Sequence, residues 1–291
     1  MTAIRTLLRL LQQEDLNFLL TNRLPRRWAT RMVGRIARAE HPLVARPALA
    51  LWQLFAGVDL SDSATVRFAS LRDGFTRALR PGARRFDPDP RVIASPCDAI
   101  VGAHGPIEGD RLWQVKGFPY RLSELMPDTA VVARFAGGRF VTLRLTAGMY
   151  HRFHAPCDLT VEAVTYMSGD CWNVNPIALK RVERLFCRNE RAAIEARLAD
   201  GMPLLIVPVA AILVASIRLH AIDTVATLRE LGPGRVSCAA SYPKGEEMGW
   251  FEHGSTIIVF MPAGVTLEPD LREGGPIRAG EALATLSVYD Q

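Results

Sequence analysis

The sequence predicts an α+β protein, a β-rich core domain preceded by an N-terminal helical portion. Three observations carry that expectation. From about residue 90, short runs rich in β-branched residues alternate with Gly and Pro: "RVIAS", "RFVTLRL", "LTVEAVTYM", "LLIVPVAAILVASI", "STIIVF" and "ALATLSVY". Runs of this kind bounded by turn formers read as strands. The first 57 residues, by contrast, have helical punctuation and no strand alternation. Finally, 291 residues with 49% hydrophobic and 22% charged content are enough to build a buried core, which excludes a disordered chain.

The chain divides near residue 65 into a basic amphipathic helical region (1–65) and a β-rich domain (66–291). Residues 1–57 carry nine arginines against Glu14, Asp15 and Glu40, a net +6, so the remainder of the +5 chain sums to −1. In "RRWATRMVGRIAR", Arg27, Arg31, Arg35 and Arg38 fall within about 80° of one another at ~100° per residue. Trp28, Met32, Val33 and Ile36 cover the adjoining face. Such a helix suits a lipid interface, making the helical portion membrane-facing, though a helix packed on the body with its charges in water has the same pattern. Nucleic acid fits less well, because the aromatics are not interleaved with basic residues on a strand platform. The first 24 residues lack the apolar core and small-residue cleavage site of a signal peptide. The longest uncharged run, 202–217, would span roughly 24 Å as a helix, short of a ~30 Å hydrocarbon core. With Pro203, Pro208 and many β-branched residues it reads as two buried strands. Five scattered cysteines, an odd number without a C-x-x-C pair, point to a reducing compartment.

Between these parts, "ASLRDGFTRALRPGARRFD" (69–87) reads as a basic connector with a turn at "RPGA", and "NPIALKRVERLF" as a helix interrupting the strands. Three places could carry chemistry. "SPCDAIV" sets Asp98 after a Ser-Pro turn, where it could equally cap that turn. "GMYHRFHAPCD" carries His151 and His154; with Cys157 the spacing is zinc-like, but a fourth ligand at recognisable spacing is missing. "HGST" carries Ser255, which does not satisfy a G-x-S-x-G elbow and alone is an ordinary loop serine. Together, Asp, His and Ser make a set in which a carboxylate orients an imidazole and the imidazole activates a hydroxyl. No Walker loop or dinucleotide fingerprint occurs.

From about residue 70 to 288 the sequence resembles the bacterial, pyruvoyl-dependent phosphatidylserine decarboxylase family. The resemblance rests on "SPCDAIV", "QVKGFPYRLSELM", "YHRFHAPCD", "SGDCWNVNP", "LFCRNER", "KGEEMGWFEHGSTIIVF" and "IRAGEALATL". It implies a proenzyme that cuts itself between Gly254 and Ser255, giving a β chain (1–254) and an α chain (255–291). It further implies that Ser255 becomes a pyruvoyl group, which forms a Schiff base with phosphatidylserine and yields phosphatidylethanolamine and CO2. His154 would be the base of self-cleavage, with Asp98 orienting it, and His151 would position the substrate carboxylate or reprotonate the product carbon. The same resemblance implies a peripheral enzyme on the cytoplasmic side of the cell membrane, meeting an anionic lipid surface, with a homo-oligomer of the αβ unit. Two departures stand out: Ala99 where the family usually has Gly, and His253 where it often has Leu. A pyruvoyl decarboxylase of a soluble amino acid such as tryptophan, or an uncleaved lipid-binding module, are the competing readings.

Overall fold

The computed structural model describes residues 14, 26–115, 118–211, 217–224, 232, 234–252 and 255–286, with the backbone alone for 26–31. Three helices open it: α1 (Arg26–Arg38), α2 (Pro42–Ala56) and the short α3 (Leu71–Phe75). Pro42 starts α2, where its missing N–H costs nothing, and Gly57 ends it in the left-handed conformation at φ 60°. Trp52 anchors α2 to the body, donating from Nε1 to the Ala147 carbonyl at 2.8 Å.

Sixteen strands follow among the described residues: β1 (Val92–Ala94), β2 (Ala99–Pro106), β3 (Arg111–Val115), β4 (Phe118–Arg121), β5 (Arg139–Leu145), β6 (Arg152–His154), β7 (Leu159–Met167), β8 (Arg191–Leu198), β9 (Pro203–Ala210), β10 (Ile217–Leu219), β11 (Gly234–Tyr242), β12 (Glu247–Phe251), β13 (Ser255–Met261), β14 (Val265–Leu267), β15 (Pro276–Ile277) and β16 (Ala282–Leu286). Eight of them form one antiparallel sheet in the order β11-β7-β8-β9-β13-β5-β2-β15. The α+β expectation holds. Strands β5 and β7 coincide with "RFVTLRL" and "LTVEAVTYM".

All seven residues of β13 are buried. Alternation sends Ile257 and Val259 into one core and Ile258 and Phe260 into the other, so the large sheet is covered on both sides. The first side is covered by the β10-β12-β6 and β1-β16-β14 sheets, through side chains such as Phe153, Phe251 and Leu283. The second is covered by the β3-β4 hairpin and short helices between 122 and 188, through Leu112, Leu122 and Phe186.

Two sequence expectations are refined. The run at 202–217 supplies β9 and the start of β10, with 212–216 outside the described residues. Pro208 is tolerated in an inner strand because it lies between Ile206 and Val209, an interval with no register partner on β8. The predicted helix at 175–186 is two single turns, Pro176–Leu179 and Leu185–Arg188, separated by Arg184 at φ 53°. No helix among the described residues is long and apolar enough to cross a membrane.

Gly148 lies where the C-terminal end of α2 crosses the loop leading to the two histidines. A Cβ there would stand 2.2 Å from the Ala56 carbonyl oxygen. Gly148→Ala should therefore push α2 off this loop and cost about 1–3 kcal/mol, by analogy with overpacked cores, read as a lower Tm.

Candidate active site

Ser255 is the first residue of β13 and pairs with Leu145 on β5 and Ala210 on β9. It shares the face of Leu145 and Ile257, the side covered by β6 and β12. Its hydroxyl is fully buried and meets no hydrogen-bond partner among the described residues. His253 and Gly254, and with them the scissile bond expected from the sequence, lie outside the described residues.

Connectivity delivers the histidines to the same end of the sheet. The chain leaves β5 at Leu145, turns at Thr146–Met149 and enters Tyr150–His154. His151 is completely buried, its ring 5.1 Å from that of Phe75, and its carbonyl accepts from Phe251 N at 2.9 Å. That bond ties it to the strand leading to Ser255. Arg152, between the histidines, points away to Glu247 (2.9 Å) and the Thr76 carbonyl (2.6 Å).

His154 is held at both ring nitrogens: Nδ1 is 2.9 Å from the Gly245 carbonyl oxygen and Nε2 is 3.0 Å from the Tyr150 hydroxyl. A carbonyl can only accept, so Nδ1 carries the proton and Nε2 presents a lone pair that accepts from Tyr150. Burial lowers the affinity of this ring for a second proton, opposed by the Gly245 carbonyl, Glu247 and Asp98. His154 is thus a neutral imidazole whose basic nitrogen faces a phenol, the state a general base needs.

Asp98 is not hydrogen-bonded to His154, and it does not cap its own turn. Its carboxylate takes a fork from Arg84, Nε to Oδ1 at 2.8 Å and Nη2 to Oδ2 at 2.5 Å, plus the Ala279 N–H at 2.9 Å. Arg84 also reaches Asp62 at 2.7 Å. Asp98 therefore acts on His154 through its field, and the orienting bonds come from Tyr150 and Gly245. The Ala99 departure requires no unusual backbone: Ala99 opens β2 opposite Ile277 and is not among the residues with positive φ. Cys157 is a core thiol pushed up to about 12 by burial, and all five cysteines are free.

The stretch 69–87 is more than a connector. Phe75 stacks on Trp52 and meets His151, Phe86 lies 5.8 Å from His154, and buried Arg77 donates to the Gly74 and Gly148 carbonyls. Sequence reasoning passed over Arg84, Tyr150 and Glu252. Tyr150 adjoins His151 in the motif and could have been suspected; Arg84 and Glu252 carry no local signal.

With this geometry in place, the comparisons are informative. The sequence model of the family described as phosphatidylserine decarboxylase matches residues 71–285. The chain belongs to the phosphatidylserine decarboxylase family. Relatives named phosphatidylserine decarboxylase proenzyme include one from Halorhodospira halophila, 36% identical over 275 residues and covering 92% of each chain. Another, from Anaeromyxobacter sp., is 36% identical over 269 residues, which is 89% of this chain and 94% of the relative. A third, from Aliivibrio salmonicida, is 34% identical over 279 residues, 90% and 95% of the two chains. The family resemblance expected from the motifs is borne out, and it is a family of decarboxylating lyases.

Beside the family's Gly-Ser-Thr motif, Glu252 is buried under three arginines: Arg72 at 2.8 Å, Arg38 at 3.2 Å and Arg218 at 3.5 Å. Burial acts to raise this carboxyl, but Arg72, Arg218 and Arg38 outweigh it and hold it below its ordinary value of 4.5. A lowered carboxyl contributes stability that is complete above its unfolded value and is lost as pH falls through the folded one. Glu252→Gln should cost about 1–2 kcal/mol at neutral pH, reduced from a fully buried pair because Arg38 and Arg72 reach solvent. Its melting temperature should converge on that of the parent as pH drops below 4.5.

Proposed function

We propose that the chain is a proenzyme that severs its own backbone at Gly254–Ser255 and then, as a pyruvoyl enzyme, converts phosphatidylserine to phosphatidylethanolamine and CO2. The observation that carries this reading is the Ser255 hydroxyl, buried without a partner among the described residues at the head of a strand paired on both edges, in a chain whose relatives are named proenzymes. An orphaned buried hydroxyl costs stability, and nothing in the packing calls for one.

Self-cleavage begins when Ser255 Oγ attacks the Gly254 carbonyl carbon. The C–N bond breaks as the ester C–O bond forms, and the hydroxyl proton passes to the Ser255 nitrogen. His154 Nε2 then takes the Ser255 Cα proton, and the electron pair expels the ester oxygen as the Gly254 carboxylate. The β chain (1–254) is thereby separated from the α chain (255–291). Water hydrolyses the remaining dehydroalanine, releasing ammonia. The negative charge of Asp98, itself fixed by Arg84, favours the imidazolium formed in the second step. Tyr150 holds Nε2 in line until then.

The residues present fit the pyruvoyl group, which is made from Ser255's own atoms and seated between Leu145 and Ala210 on an apolar face. When formed, the group supplies an electron-withdrawing ketone that accepts the pair left as CO2 departs. His151, buried against Phe75, positions the substrate carboxylate or returns the proton to the carbon that lost it.

A lipid substrate requires reach to a bilayer, and α2 supports it. Leu43, Leu51, Leu54 and Phe55 are 81%, 55%, 64% and 48% exposed. They fall within about 120° at ~100° per residue, opposite buried Ala45 and Trp52. Residues 1–65 thus form the membrane-association region of a peripheral enzyme of the cell membrane, met from the cytoplasmic side, with 66–291 as the catalytic domain.

Ser255→Ala should remain one uncut chain by mass spectrometry and evolve no CO2 from phosphatidylserine vesicles; turnover of free amino acids alone by the parent would overturn the lipid assignment. His154→Ala should block cleavage, whereas His151→Ala should mature and lose most turnover. Because the folded His154 titrates below its ordinary 6.5, the parent's cleavage rate should be flat above that pH and fall only below it. Leu51→Glu with Leu54→Glu should lower vesicle co-sedimentation at least tenfold while leaving self-cleavage intact.

A further inference from the structure

The side of the sheet facing away from Ser255 holds a groove of about 350 Å³ whose contents the decarboxylase reading does not use. Its floor is made by β2, β5 and β13, where Arg144 is cross-strand neighbour to both Thr256 and Ile100. Its apolar wall includes Leu179 and Phe186. That volume lies within the range of small-ligand sites.

Three polar groups in the groove lack partners among the described residues. Thr142 and Thr256 are 2% and 1% exposed, and neither hydroxyl is hydrogen-bonded. Arg144 is half-buried, makes no hydrogen bond or ion pair among the described residues, and burial pulls its guanidinium below the usual value. Among the other buried arginines, Arg84 is matched by carboxylates and Arg191 by four carbonyl oxygens, while Arg77 gives both terminal nitrogens to carbonyls and leaves only its Nε unpartnered among the described residues. The remaining polar wall residue, Gln114, is fully committed to Leu179, Val182 and Leu185. At the rim, exposed Lys180 and Glu273 offset one another, which leaves the interior with one uncompensated positive charge.

A buried cation without a counter-charge is costly, and a groove of this shape has room for an anion with an alkyl tail. We infer that the groove is a binding site for a phosphate-headed amphiphile, with the phosphate on Arg144 and the Thr142 and Thr256 hydroxyls and the chain along the apolar wall. A carboxylate would place both its oxygens in the plane of the guanidinium fork. Tetrahedral phosphate leaves further oxygens for hydroxyls outside that plane. The site is distinct from the one at Ser255, since successive residues of β13 point to opposite faces. Thr256 nonetheless adjoins Ser255 in the chain, so an occupant bears directly on the strand end that carries the reaction.

The test is equilibrium titration of the full-length protein with dodecyl phosphate below its critical micelle concentration, with dodecanoate and dodecanol as comparators. The expected result is saturable binding of dodecyl phosphate at one site, weakened at least tenfold in Arg144→Met and a few-fold in Thr142→Val, with dodecanol indifferent to both. Thr142→Val removes only a hydroxyl and keeps the test alive if Arg144→Met fails to fold. Absence of saturable binding, or equal affinity in the folded variants, overturns the site; tighter binding of dodecanoate than of dodecyl phosphate overturns the choice of head group. Because the readout is binding and not turnover, its failure leaves the decarboxylase reading untouched, and failure of that reading leaves the groove in place.

Discussion

Strand β13 is hydrogen-bonded along both edges, to β5 from Ser255 to Met261 and to β9 from Ser255 to Phe260, and it is buried on both faces. Everything proposed for the site depends on this double anchorage. A backbone cut immediately before Ser255 removes one covalent bond but none of these pairings. Each ladder hydrogen bond contributes about 0.5–1.5 kcal/mol net, and each buried Ile, Val or Phe side chain about 1.5–3 kcal/mol. A short C-terminal fragment so held remains part of the sheet. The residue that becomes its first is thereby fixed in position by the strand, without help from the bond that was broken.

Around that fixed point the electrostatics are arranged in layers. The Gly245 carbonyl selects the tautomer of His154, burial keeps the ring neutral, and the phenol of Tyr150 occupies the basic nitrogen. Asp98 stands one step back, its charge shared between Arg84 and the Ala279 N–H. A carboxylate bonded directly to the imidazole would raise its proton affinity strongly. One acting only by its field raises it less, which suits a base that must be unprotonated at rest and protonated only transiently. The aromatic residues of the 69–87 stretch pack against both histidines, Phe75 on buried His151 and Phe86 on half-buried His154.

Much of this was legible in the sequence, for reasons that differ by element. Strands β5, β7 and β13 announce themselves because β-branched residues recur in short runs, and the proposed site residues because they sit in motifs of several residues. Strand β8, "RAAIEARL", escaped notice: its Ala, Glu and Leu favour a helix, and only pairing with β7 and β9 makes it extended. The helix expected at 175–186 failed for the converse reason, since Gln114 caps both neighbouring turns from a distant hairpin and breaks the helix between them. Arg84 could not be found from sequence because its role is defined by Asp62 and Asp98, which only the fold brings to either side of it. The groove around Arg144 was hidden likewise, as an arginine without a partner looks the same in sequence as any other.

Glu252 bears on the other side of the proposed cut. Arg38 reaches it from α1, Arg72 from α3 and Arg218 from β10, so three separate elements converge on one carboxylate two residues before Gly254. On the proposed reading, cleavage turns Gly254 into a chain terminus bearing a new negative charge. Three guanidinium groups facing one carboxylate leave positive charge in excess around Glu252, two residues before that terminus, and Coulomb attraction at short range favours a further negative charge there. On that reading the sheet restrains the first residue of the α chain, and the arginine cluster favours the new charge at the end of the β chain. Because Arg38 belongs to the helical portion, on the proposed reading the same contact joins the surface offered to lipid to the segment that is cut.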